Sequence, residues 1–138
     1  MTVNGGVGFR ELLAEANANV EAVEPGQLSK QLGDEDLVLI DLRDIRELER
    51  EGKLPSAVHT PRGMLEFWID PDSPYAKPIF QEDKRFVFYC QSGWRSALAT
   101  AVAQRLGLQR ASHLEGGFQG WKEFGGITEA HARKPKTK

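Results

Sequence analysis

The chain has 138 residues, 40% hydrophobic and 28% charged, with a formal net charge of -2. It is about one ordinary domain long, enough to bury a core without disulfides or structural metal. So even a charge leaves no basic footprint for nucleic acid, and a single cysteine, Cys90, excludes an intrachain disulfide and a cysteine-rich zinc site. His59, His113 and His131 are scattered along the chain, so no metal is expected. No window approaches the roughly 20 apolar residues that span a bilayer, and the first residues lack the basic start and apolar run of a secretion signal. The expected setting is soluble and cytoplasmic, away from membranes.

In chain order, Phe9, Leu12, Leu13, Ala16 and Val20 recur at helical spacing and predict an amphipathic first helix. It forms an N-terminal extension over residues 1–19. After the short run "VEAV", Pro25 suits a helix start, Leu28 and Leu32 share a face, and Gly33 suits the stop. "LVLIDL", residues 37–42, is a continuous apolar run ending in Asp41 and Leu42, as a strand buried on both faces of a parallel sheet reads. Asp44 and Glu47 have capping-box spacing ahead of a short helix that Gly52 closes. "AVHT" is a candidate strand broken by Pro61.

The stretch 62–83 begins with a possible helical turn at Met64–Trp68 and continues as a loop punctuated by Pro71, Pro74 and Pro78. Insertions of this kind often carry function, so Phe67, Trp68 and Tyr75 are candidates for one wall of a site, with core packing the equal or better reading for Phe67 and Trp68. "RFVFY", residues 85–89, is the next strand, and Arg95 to Leu106 the helix after it. "ASHLEGG" reads as a last strand and turn, and "FQGWKEFGG" sets Phe118, Trp121 and Phe124 near one helical face. The basic end, within residues 127–138, reads as a flexible tail. Short apolar strands alternating with helices imply an α/β fold with a mostly parallel sheet covered by helices on both faces. Such sheets bind ligands beyond the carboxyl ends of their strands, and Cys90 stands at one of those ends.

The loop "CQSGWRS" joins a buried strand to the first turn of a helix, where unpaired backbone N–H groups and the positive end of the helix dipole converge. Such a field, with Arg95 five positions on, favours the thiolate over the thiol. Gln91, Ser92, Gly93, Trp94, Arg95 and Ser96 make up the loop. Gly93 lets the backbone curl into a nest of inward amides, Arg95 is a candidate anion ligand, and Trp94 is either a pocket wall or a packing residue. A buried, inert cysteine is the ordinary alternative, and the glycine and arginine beside it argue for an active one.

At these residues the chain resembles the rhodanese-like sulfurtransferases, specifically their single-domain members. The resemblance covers roughly residues 20–125, with the domain placed at 20–126, and rests on "LVLIDLRD", "GKLPSAVHTP", "RFVFYCQSGWRSALA" and "LEGGFQGW" in that order. It implies a five-stranded parallel sheet flanked by helices. It implies too that Cys90 takes the outer sulfur of a small anionic donor such as thiosulfate, carries it as a persulfide, and passes it to cyanide or another thiophilic acceptor without a cofactor. Asp41 and Arg43 match the family's Asp-x-Arg pair, which braces neighbouring loops. Arg62 and Lys53 are candidates for positive charge at the pocket mouth, though surface solvation is the simpler reading. Lys53 and Ser56 in "GKLPSA" depart from the family's usual histidine and glycine, which puts the geometry of that turn in question.

Two other classes share the motif's general form. One is a rhodanese-like binding or sensor module without catalysis. The other is a phosphatase or arsenate reductase, which cradles a tetrahedral oxyanion with C-x5-R; here only four residues separate Cys90 from Arg95, and Ser96 holds the arginine's place. The shorter ring suits a single sulfur atom better than a phosphate. Oligomeric state is not legible.

Overall fold

The computed structural model describes residues 2–132. Five strands run in one sheet: β1 (Glu21–Val23), β2 (Leu37–Asp41), β3 (Val58–His59), β4 (Arg85–Tyr89) and β5 (Ala111–Leu114). Six helices connect and cover them: α1 (Phe9–Asn19), α2 (Pro25–Ser29), α3 (Ile45–Glu51), α4 (Leu65–Ile69), α5 (Trp94–Arg105) and α6 (Gly117–Phe124). The strand order is β1-β5-β4-β2-β3, and all pairings are parallel. This is the α/β architecture with helices on both faces that the strand and helix alternation implies.

The two continuous apolar runs, β2 and β4, lie side by side at the centre, where both faces of a strand are covered. Alternate residues then serve opposite layers. Ile40, Phe86 and Phe88 join Leu65, Ile69, Phe80 and Ala103 on one side, whereas Leu39, Val87 and Tyr89 join Leu28, Leu114, Phe118 and Trp121 on the other. Each fully buried side chain of this kind contributes about 1.5–3 kcal/mol. The register aligns the strand ends: Asp41 pairs with Tyr89 and with His59, and Phe88 with His113. The residues that follow Asp41 and Tyr89, and His113 itself, therefore emerge at one edge.

α1 forms where its apolar spacing predicts, yet Ala16 is its one buried residue; Phe9 and Leu12 stay 45% and 43% exposed because the helix covers α5 rather than the sheet. The stretch 62–83 lies over the sheet face. Leu65, Ile69 and Phe80 enter the core, and Trp68 packs against it under the Lys77 ammonium, 4.8 Å from its ring. Phe67 and Tyr75 remain exposed. Beyond α6 the chain turns back. Ile127 O accepts from Trp121 Nε1 at 2.8 Å, and Glu129 pairs with Lys53 through two backbone hydrogen bonds of 2.9 Å. The rest of the basic end, residues 133–138, lies outside the described residues. Among the described residues no helix is long and apolar enough to cross a membrane, and no cluster of three metal-ligating side chains forms.

Candidate active site

Cys90 follows directly on β4 and is 1% exposed. Its sulfur receives two backbone amides, Gly93 N at 3.2 Å and Ser96 N at 3.4 Å. That convergence requires the loop to point its carbonyls elsewhere, and α6 is where they go: Phe118 N donates to Cys90 O at 2.8 Å and Gln119 N to Gln91 O at 3.0 Å. The unpaired amides of the first turn of α6 thus find acceptors in the cysteine loop, which turns the loop's following amides toward sulfur. Two glycines make this possible. Gly93, at φ +113°, occupies backbone space that L side chains rarely adopt, and Gly117, at φ +61°, lies so close that an added Cβ would stand 2.6 Å from Cys90 O.

Beneath the loop, the Ser96 hydroxyl lies 3.6 Å from the sulfur and 3.0 Å from His113 Nδ1. His113 is 6% exposed, and burial pushes its pKa below the ordinary value, which keeps the ring neutral at pH 7. At the rim, Arg95 forks onto Glu47: Nη1 to Oε2 is 3.0 Å and Nη2 to Oε1 is 3.2 Å. Glu47 also accepts from Asp44 N at 2.9 Å, completing the capping box of α3. The Arg95 hydrogen bond outweighs partial burial and holds the Glu47 carboxyl below its usual range, while Arg95 is raised first by Glu47 and further by the neighbouring Cys90.

Behind this rim, Arg43 and Asp41 are fully buried and paired, with Nη2 to Oδ2 at 2.8 Å. Arg43 also donates to Gln91 Oε1 at 3.2 Å and to Gly52 O at 2.7 Å, and its guanidinium lies 4.2 Å from the centroid of the Phe118 ring. One cation thereby ties the end of β2 to the cysteine loop, the turn after α3, and α6.

The family model described as Rhodanese-like domain matches residues 24–124. The chain belongs to the rhodanese-like domain family. A solved structure from Rhodopseudomonas palustris, a protein of unknown function described as a possible tyrosine phosphatase, is 50% identical. It superposes at a TM-score of 0.88, with 94% of this chain and 99% of that one covered. A sulfurtransferase from Allochromatium vinosum is 31% identical over 107 residues, 77% of this chain and 92% of that protein. Thiosulfate sulfurtransferase/rhodanese-like domain-containing protein 3 of Mus musculus is 30% identical over 103 residues, which are 71% of this chain and 66%, just under two thirds, of the mouse protein.

Within this rhodanese-like frame, the candidates drawn from the sequence separate. Cys90, Gly93 and Ser96 converge through sulfur and amides, and Gln91 joins through its carbonyl and its side chain. Arg95 stands at the rim but is engaged by Glu47. Ser92 is exposed, and the hydrogen bonds to the sulfur among the described residues come from Gly93 and Ser96 instead. Trp94 is 59% exposed and packs at a tilt against Phe9 of α1, with ring centroids 5.2 Å apart and planes at 44°. Arg62 pairs with Glu66 at 2.9 Å, and no hydrogen bond or ion pair among the described residues links it to the loop. Lys53 Nζ reaches Ala57 O at 3.3 Å. Ser56 adopts φ +62°, the left-handed conformation that a glycine at this turn would enter without strain. Three participants escaped the sequence reading: Glu47 as the partner of Arg95, His113 beneath Ser96, and the first turn of α6. Only His113 left a signal, its place near the carboxyl end of a predicted strand.

Proposed function

We propose that the protein is a sulfurtransferase in which Cys90 carries sulfane sulfur as a persulfide. The thiolate attacks the outer sulfur of a donor, a new S–S bond forms, and the donor's remaining anion leaves, sulfite in the case of thiosulfate. A thiophilic acceptor, cyanide or a thiol, then removes the outer sulfur and regenerates the thiolate. Atoms and charge balance in both halves without a cofactor. The observation that carries this reading is the amide pair aimed at the cysteine sulfur, with the opposing carbonyls fixed by α6. A persulfide terminus is an anion about 2.05 Å beyond Sγ. Preoriented N–H donors hold such charge at no reorganisation cost. Relatives from Allochromatium vinosum and Mus musculus whose names include sulfurtransferase support the same chemistry.

The Rhodopseudomonas palustris protein, described as a possible tyrosine phosphatase, favours a second reading, a small-oxyanion phosphatase. Phosphate needs a cation across the ring from the nucleophile. In the phosphatase arginine's place, this chain has Ser96, and Arg95 is engaged by Glu47 through a bidentate fork. Sulfur transfer is therefore the better fit. Incubation with thiosulfate is expected to add the mass of one sulfur atom to the protein, with loss of the adduct on cyanide treatment and no adduct on Cys90→Ser. Hydrolysis of a small aryl phosphate without sulfur uptake from any donor would decide for the phosphatase. Neither activity, with a thiol that alkylates like a free cysteine, would decide for a non-catalytic module.

A further inference from the structure

The cations nearest the cysteine loop are paired before a donor arrives. Arg95 is forked onto Glu47, Arg43 is paired with Asp41, and Lys122 bonds to Glu51 at 3.1 Å, which Gln91 Nε2 also approaches at 3.4 Å. Each cation in this set faces a carboxylate, and Glu51 also meets Arg50 at 3.7 Å, so Arg95 meets an incoming donor with its charge already countered by Glu47. Glu47 is not an incidental partner. Its carboxylate is fixed twice, by the bidentate fork and by the Asp44 amide, and its side chain is 18% exposed. An anion approaching the loop competes with it for the Arg95 guanidinium.

Resting on the sulfurtransferase reading, we propose that Glu47 is a specificity-determining residue. By occupying Arg95, it turns the site against dianionic donors such as thiosulfate and toward donors of low charge, an organic persulfide being the fitting class. Transfer from thiosulfate brings a dianion to a thiolate. Transfer from R–S–SH joins the terminal sulfur to Cys90, breaks the donor's S–S bond, and releases R–S⁻. With the proton kept on the outer sulfur, one negative charge stands on each side. An organic persulfide meets less of the repulsion that the site imposes.

The test compares loading of Cys90 from thiosulfate and from the persulfide of 2-mercaptoethanol, read as the rate of gain of one sulfur by mass spectrometry. Glu47→Gln keeps a capping-box side chain at this helix position and removes the charge. It is expected to raise the thiosulfate-to-persulfide rate ratio by about tenfold, the scale of one added charge–charge interaction at a protein surface. Glu47→Asp, which keeps the charge, should hold the ratio within about threefold of the starting protein on the same electrostatic scale. In the unaltered protein, thiosulfate loading should accelerate with added sodium chloride as like charges are screened, and this acceleration should weaken in Glu47→Gln. An unchanged ratio in Glu47→Gln overturns the proposal, as does thiosulfate loading that slows with salt in the unaltered protein. Failure of Cys90 to load from either donor overturns the sulfurtransferase reading itself, a result distinct from an unchanged ratio.

Discussion

Gly117→Ala separates the role of α6 from that of the cysteine loop's own sequence. The new Cβ would stand 2.6 Å from Cys90 O and 2.7 Å from both C and O of Gln91, and ordinary contact begins at 3.4 Å. The cysteine loop and α6 must therefore part by about 0.8 Å, the difference between those distances, at the two hydrogen bonds that turn the carbonyls away from the sulfur. The left-handed φ costs a non-glycine residue about 1–2 kcal/mol, and each weakened hydrogen bond about 1 kcal/mol. The summed loss of about 3–4 kcal/mol should be visible in urea denaturation. Because displacement of about 1 Å in a reacting constellation costs on the order of a hundredfold, sulfur loading of the folded protein should fall on that scale. Gly125→Ala is the control: its φ is +89°, but nothing lies within 4 Å of the added Cβ. It should cost only the conformational part, about 1–2 kcal/mol, with loading intact. Equal stability losses in the two variants, with Gly117→Ala loading at the unaltered rate, would refute the idea that α6 aims the amides.

Asp41→Ala leaves the Arg43 guanidinium buried and unpaired. It should destabilise the fold by about 3–5 kcal/mol in urea titration, while altering the loading rate of the remaining folded protein less. Ser56→Gly removes the strain of φ +62° and should stabilise by about 0.5–1 kcal/mol after allowing for glycine's greater chain entropy; a loss of stability would show that the Ser56 side chain matters more than its backbone. For His113, burial lowers the folded pKa below the ordinary 6.5, so the unfolded chain takes up the proton first. Its contribution to stability is present above pH 6.5 and is lost as pH falls through that value toward the lower folded pKa. His113→Asn should lack this acid-side slope in urea midpoints measured across pH, and identical slopes would contradict the burial argument.

What could be read from the sequence is what depends on neighbours in the chain. "LVLIDL" and "RFVFY" announce themselves because central strands are apolar on both faces, and the Asp44–Glu47 capping box is a four-residue pattern that the structure reproduces in full. The edge strands β1 and β3 are short and partly exposed, and their apolar signal is correspondingly faint. The spacing of α1 reports an apolar side truthfully, yet it cannot report that α5, not the sheet, receives it. At the site the limit has the same cause. The cysteine, glycine and arginine share one loop and are visible together. Glu47 lies 48 residues from Arg95 and His113 lies 17 from Ser96, so only strand order and register reveal those pairs.

The pairing of Glu47 with Arg95 changes what the loop motif means. From the sequence, Arg95 supplies free positive charge to an anion site; in the fold, the same carboxylate caps α3 and occupies that arginine. The attraction for an electron-rich sulfur then falls to the amides, whose dipoles are neutral overall and short in range. They hold a sulfur atom already bonded to Cys90 better than they draw a distant dianion. On the proposed sulfurtransferase reading, the geometry is accordingly more suited to keeping a persulfide than to capturing thiosulfate from solution. The two tasks should separate experimentally, with Gly117→Ala weakening the first and Glu47→Gln improving the second.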